Sequence, residues 1–450
     1  MRVAYSPLHA AVTTMVAMTL VLTDPARRPR ARRGPLAGVR VTDFCWMVVG
    51  ALATRLLADF GAEVIRIEDR TRLDMPRRLP LYKGGQIRSY GEEDANPDPN
   101  KGGMFNNCNR NKLGITVNMR DPKGRELVDR LIAESSVLTE NFAPGVMERW
   151  GLTEAHVRKL RPDVIYARMS GFGHSGPYAD YRSYGPVVQA ACGLSHISGL
   201  PGREPSGWGL SYMDNQAAYY NSSALMMAIM ARNVSGIGSD IDVSALEAGV
   251  ELLGPVLLDV EANARGTRRA DYPTGNRLDH PRAAPHGVYP TEGTDRWVAI
   301  AVFDDDEWAA FTTAIGAPPW ADDIRFRTHE NRVAHQDDLD REIAALTAGR
   351  DRHELMHELQ AAGVRAGAVQ NAEDVNEHDP QMAHRDVFFE LDHPVIGEAR
   401  FEGVPYTATQ FAPDHWRSAP LLGEDNDYVY GTILGLSADE IADLTERGVI

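Results

Sequence analysis

Cysteine is scarce in this chain, with three in 450 residues. Cys45, Cys108 and Cys192 show no metal-ligand spacing and leave one thiol over. That excludes a disulfide framework and a thiolate metal site, and it fits reduced, mostly buried thiols in a cytoplasmic protein. Long apolar runs are also missing, since no stretch approaches the ~20 residues that a membrane span needs. Positive charge is in deficit: 47 Lys and Arg stand against 63 Asp and Glu, for a formal net charge of −16. This excludes general binding to nucleic acid or to an anionic membrane. An anionic ligand must therefore be met locally, by a few Arg or Lys side chains or backbone N–H groups. Gly50 stands in the first strand–helix turn without a G-x-G-x-x-G around it, so nothing there supports a dinucleotide site of that kind. The run Asp304-Asp305-Asp306 lacks the spacing of a calcium loop and reads as a helix cap, so no metal is expected.

What remains is an ordinary globular composition, 43% hydrophobic and 24% charged, with length for two or more domains. Residues 10–22 are apolar and are followed by a basic stretch at 27–33, the reverse of a signal peptide's order. Residues 1–34 therefore read as a poorly ordered extension. From residue 35 onward, short apolar runs alternate with helical periodicity. Strands are expected at 39–44, 62–68, 114–118, 137–140, 164–169 and 241–243. Helices are expected between them, including one at 51–60 with Leu52, Leu56 and Phe60 on one face, and one after the Asp121-Pro122 cap. Such alternation predicts an α/β fold, a doubly wound Rossmann-like domain over 35–245, with ligands outside the carboxyl ends of its strands. A helix and linker over 246–285, expected to be helical through about 264, lead to a smaller α+β domain over 286–405. Residues 406–450 return to the large domain.

The stretch 211–220 opens a helix expected to run to about Arg232. Its apolar run 224–231 predicts burial nearly all round, with Met226, Met227 and Met230 in the core. Asp214 stands at the start of that helix. An acid there has an ordinary role, capping free N–H groups at the positive end of the dipole.

Six segments taken together give Asp214 a second reading. They are residues 35–44 (PLAGVRVTDF), 57–68 (LADFGAEVIRIE), 109–112 (NRNK), 140–145 (ENFAPG), 171–177 (GFGHSGP) and 419–424 (APLLGE). In this order they resemble the class III CoA-transferase family, or CaiB/BaiF family, the group containing formyl-CoA, carnitine and benzylsuccinate CoA-transferases. The resemblance implies an interlocked homodimer, with acyl-CoA and a carboxylic acid as substrates. It places the catalytic nucleophile at Asp214 and the CoA contacts at Val48, Val49, Asn141, Phe142, Ala143, Arg149 and Arg182. The chain departs from formyl-CoA transferase in three places. Val48 stands where that enzyme has Gln, Asp69 stands where it has Arg, and no tetraglycine loop occurs between Arg265 and Pro285.

Simpler readings stand beside these. Arg149 and Arg182 fit solvated surface charges as well as phosphate partners, and Asn141 and Phe142 fit a turn. His174 fits a hydrogen-bonded loop residue better than a base. Trp208 and Tyr212 fit either an acyl pocket or core packing. Two other functions share the resemblance: an α-methylacyl-CoA racemase, and a non-catalytic CoA-binding subunit of a hetero-oligomer. The racemase reading loses half its machinery, because Tyr184 stands where the racemases carry a proton-transferring His.

Overall fold

A computed structural model describes residues 32–79, 98–198, 203–266, 275–278, 280–413 and 417–450. Six strands form one sheet, all in parallel register: β1 (Arg40–Asp43), β2 (Glu63–Glu68), β3 (Leu113–Thr116), β4 (Val137–Glu140), β5 (Ile165–Ser170) and β6 (Asp240–Ser244). Their order is β3-β2-β1-β4-β5-β6. The inner strands are apolar on both faces because both faces are covered. Val41, Val64, Val137, Ile165 and Ala167 point into one core with Leu57, Leu225 and Ile229. Ile65, Ile67, Leu138 and Tyr166 point into the other with Leu127, Leu131 and the C-terminal residues Val429 and Leu444. Those cores are closed by helices α1 (Val49–Asp59), α2 (Pro122–Ala133) and α4 (Tyr212–Ser235), while α3 (Gly185–Ala191) and α5 (Ala245–Glu251) pack on α4. Asp121 caps α2 by accepting from the Lys123 N–H at 2.7 Å, with Pro122 inside the first turn. The order reverses direction between β1 and β4, and at such a switch point ligands bind outside the carboxyl ends of the strands.

The described chain divides into two compact units. One takes in Met1–Cys192, Gly209–Leu252 and Asp386–Ile450, the other Gly193–Trp208 and Leu253–Arg385. The second unit holds the antiparallel sheet β7 (His286–Pro290), β8 (Trp297–Ala301) and β9 (Arg365–Val369). Tyr289, Val298, Phe311, Leu339 and Leu355 share its core. Asp304 caps the helix Asp305–Ala314, accepting from the Glu307 N–H at 2.8 Å. The hairpin β10 (Phe388–His393) and β11 (Gly397–Glu402) sits with the first unit, not within the expected 286–405 domain. Its end is claimed there, since Glu402 accepts from Arg55 and Asn107, both at 2.7 Å. The C-terminal segment closes the β3 edge: Asp425 accepts from the Gly114 N–H at 2.7 Å and Asn426 from the Thr116 N–H at 3.0 Å. A Cβ on Gly114 would lie 2.9 Å from Pro420, so residues 419–424 pack where only glycine leaves room.

Three expectations change. Helix α4 is buried on one face only, through Met213, Ala217, Ala218, Leu225, Ala228 and Ile229. Met227, Met230 and Val234 are 64%, 69% and 91% exposed, so the methionine run is not core. The helix expected over 245–264 is broken into α5 and Gly254–Asn263. Pro255 lies in the first turn of the second piece, where its missing N–H costs nothing, but within one continuous helix it would break the ladder. Arg32 donates to the carbonyls of Ala62 at 2.8 Å and Asn111 at 2.9 Å, so the chain joins the first unit from that residue rather than after 34. The rest of the extension, residues 1–31, lies outside the described residues, as do 80–97, 267–274 and 279 of the irregular stretches.

Candidate active site

Strand β1 delivers Asp43 to the sheet's carboxyl edge. Its carboxylate is fully buried and accepts from the Cys45 N–H at 2.9 Å, the Thr54 hydroxyl at 2.7 Å and Lys112 Nζ at 3.0 Å. Burial by itself pushes this carboxyl upward, but Lys112 and Arg66 beside it hold it below the usual range. Lys112 also donates to the Ala51 carbonyl and to Asn109, so the ammonium has no unmet proton. The turn that follows, residues 45–48, is held from two other sides. Asp74, paired with Arg66, accepts from the Met47 N–H at 3.1 Å. Met47 has φ +59°, a strained conformation for an unbranched side chain, and needs such support. Asn141, from the loop after β4, accepts from the Trp46 N–H at 2.6 Å and donates to the Trp46 carbonyl at 2.9 Å.

The loops after β1 and β4 are thus one assembly. Val48 is the N-cap residue of α1 and Val49 its first residue. The Phe142 ring stands edge-on to Trp46 at 5.8 Å and to Trp150 at 5.5 Å. Ala143 is exposed. Arg149 is exposed and folds back, its guanidinium 3.3 Å from where a Cβ on Gly145 would stand. Arg182 is exposed on the segment leading to α3. Neither arginine makes an ion pair among the described residues.

Helix α4 packs against α1 in parallel. Ser222 donates to the Ala53 carbonyl at 3.2 Å, and Val49 joins the Leu52–Ala53–Ala218 cluster. Both helix N-termini therefore face the same way, and one turn before Ala218 stands Asp214, half-buried in the first turn of α4. Burial raises its carboxyl above the usual range, opposed only by a hydrogen bond with Ser211. Among the described residues no cation comes within ion-pair distance of it. Gly185, the first residue of α3, lies directly against it, since a Cβ there would stand 2.9 Å from Oδ2 and 3.1 Å from Cγ. Any side chain at 185 would displace the carboxylate. Met213, the residue before Asp214, is fixed in turn where α4 meets α5, because a Cβ on Gly249 would touch its methyl at 3.1 Å.

The structure so gathers Val48, Val49, Asn141, Phe142, Ala143 and Arg149 at one edge, with Asp214 on the same side and Arg182 just upstream of Gly185. Asn141 is spent on the turn rather than free. Trp208 belongs to the second unit and donates to the Ser198 hydroxyl at 2.7 Å. Tyr212 is half-buried in the first turn of α4. Sequence reading missed Gly185, Trp46 and Asp74. Gly185-Pro186 after an irregular stretch carried a helix-start signal for the first, and nothing local marked the other two.

The comparisons with known proteins agree on one family. Its model, described as CoA-transferase family III, matches residues 36–426. A relative from Chloroflexus aurantiacus, succinyl-CoA--D-citramalate CoA-transferase, is 33% identical over 92% of this chain and 98% of its own. Succinate--glutarate CoA-transferase from Agrobacterium fabrum is 30% identical over 90% of this chain and 96% of its own. Among solved structures, a CAIB/BAIF family protein from Brucella suis superposes with a TM-score of 0.77 at 29% identity, covering 89% of this chain and 100% of that one.

Proposed function

Because the chain belongs to CoA-transferase family III, we propose that it moves coenzyme A from an acyl-CoA to a carboxylic acid, with Asp214 as the covalent carrier. One observation carries this reading: a carboxylate kept half-buried, without a cation, against the bare backbone of Gly185. Asp214 attacks the acyl-CoA carbonyl carbon, the C–S bond breaks, and CoA leaves as thiolate beside a mixed anhydride. The thiolate then attacks Asp214 Cγ, which frees the donor acid and leaves an aspartyl-CoA thioester. The acceptor carboxylate attacks Cγ and expels the thiolate, and the thiolate takes the acceptor's acyl carbon, restoring Asp214. Dividing one exchange into four displacements lowers each barrier. The elevated proton affinity of Asp214 makes its ionised form a better nucleophile than a salt-bridged carboxylate.

Val48, Val49, Asn141, Phe142 and Ala143 serve the CoA arm, the asparagine by shaping the turn and the others by lining it. Arg149 and Arg182 serve its phosphates, for which the guanidinium's paired donors are suited. The names of the relatives favour succinyl-CoA as donor and a short dicarboxylic acid as acceptor. The exposed apolar stripe of Met226, Met227, Met230 and Val234 supports a homodimer. The reaction is cytoplasmic and needs no metal. Tyr184, the residue before Gly185, stands where the racemases carry their proton-transferring His, which disfavours that reading. The test is a panel of carboxylic acids incubated with succinyl-CoA or acetyl-CoA, with product masses read. New acyl-CoA from dicarboxylic acids supports the proposal. Deuterium exchange at the α-carbon of an acyl-CoA without any acceptor would replace it with the racemase reading.

A further inference from the structure

His174 is set in the turn after β5 by two features of its backbone. Gly173 before it has φ +82°, and its own N–H lies 3.0 Å from both oxygens of Asp242 on β6. The side chain is thereby turned inward, 7% exposed, with Nε2 unpartnered and 3.6 Å from Glu140 Oε1, whose side chain is 1% exposed. The other oxygen of Glu140 accepts from the Phe142 N–H at 2.6 Å. A continuous line of groups thus runs from the middle of β6 through the turn after β5 to the loop 141–145.

We propose that His174 and Glu140 are positioning residues that share one proton and so hold the Asn141–Phe142–Ala143 loop in its CoA-binding shape. This rests on the reading that the loop serves CoA. The protonated Glu140 hydroxyl donates to His174 Nε2, while the same carboxyl's second oxygen keeps the Phe142 N–H. The 3.6 Å separation is longer than a hydrogen bond, and such bonds are commonly long in an empty site and tighten when the ligand orders it. The environment favours the neutral pair. Burial, with Glu148 and Asp242 adding to it, pushes Glu140 up to about 8 against the Phe142 hydrogen bond and the Arg168 charge. Burial likewise lowers His174, against the pull of Asp242, Glu148 and Asp240, with Arg168 acting in the same direction as burial. Tyr166 also faces Glu140, and burial holds its hydroxyl protonated far above neutrality. At neutral pH Glu140 keeps its proton. As pH rises through about 8 it becomes an anion among acids, facing a polyanionic ligand.

The experiment measures binding of CoA to the full chain by calorimetry from pH 6.5 to 9.5, with transfer kinetics alongside. His174→Leu is expected to weaken CoA binding about tenfold, the loss of one buried hydrogen bond, with kcat within about twofold. His174→Gln, which still reaches Glu140, is expected to recover most of that. Glu140→Gln copies the protonated acid, so it is expected to bind CoA like the parent at pH 7 and to lose the parent's weakening above pH 8. Parent-like binding by His174→Leu, or an unchanged alkaline weakening in Glu140→Gln, overturns the inference. A parent chain that fails to bind CoA at any pH overturns the functional reading itself, which separates the two failures. Because Asp214→Asn is expected to bind CoA without turning over, it reports the latch independently of chemistry.

Discussion

Asp43 and Asp214 are two carboxylates of the same unit, placed at loops on the same side of the sheet, and their surroundings are opposite. Asp43 is locked. Its oxygens receive Lys112, Thr54 and a backbone N–H, and it is inaccessible to solvent. The whole segment Asn109, Arg110, Asn111 and Lys112 is buried and spent in this way, with Arg110 and Asn111 holding Asp59 at 2.7 and 2.9 Å. Asp214 has a hydrogen bond with Ser211 and the backbone of Gly185 against it, and among the described residues no cation at ion-pair distance. A charge neutralised by a cation is a structural clamp, whereas a charge raised by burial and left without one is available to react.

The largest effect that would break this contrast is at Asp214. Asp214→Asn should lower transfer by about 10⁴-fold or more, as removal of a covalent nucleophile does. It should leave the melting temperature equal or higher. A carboxyl whose folded pKa is raised costs stability wherever it is ionised, and Asn removes that cost. The same sign sets the pH profile: kcat/KM for the parent should fall on the acid side through a pKa above that of free aspartate. Next comes Lys112→Met, which strands Asp43 as an unpaired buried charge. It should cost about 3–5 kcal/mol of stability, read by urea unfolding, with any surviving folded protein keeping its nucleophile. Gly185→Ala should reduce kcat/KM by about 10²-fold with little change in melting temperature, since it displaces the carboxylate without touching a core. The smallest effects are expected from Arg149→Ala and Arg182→Ala, each raising KM for CoA about tenfold or less, more so at low salt. If Gly185→Ala and Lys112→Met proved alike in both readouts, the contrast would fail.

Much of this fold can be read from the sequence. All six strands of the parallel sheet fall where apolar runs end in turns, and the capped helix starts at Asp121, Asp304 and Ser437 come from local chemistry that tertiary packing does not override. What sequence does not carry is the partner of each group. The Met226–Met230 run reads as core because it is apolar, but which face of a helix meets the protein is decided by α1, a distant segment. The break at Leu252–Leu253 goes with Pro255, which the expectation of one helix through 264 left out of account. Residues 109–112 and 419–424 are recognisable as motifs, yet only the structure assigns them to burying ions and covering the β3 edge. At the site, the place of Asp214 at a helix start was legible, whereas its proposed role came from the resemblance and not from that place. Gly185 was not legible, because its role lies in having no side chain near a residue 29 positions away.

The direct test of the central claim is to incubate the protein with succinyl-CoA, quench with borohydride or hydroxylamine, and map the modified peptide by mass spectrometry. The account predicts a single modification, on the peptide carrying Asp214, that disappears in Asp214→Asn. Transfer activity with an unmodified Asp214, or an equally active Asp214→Asn protein, would contradict it.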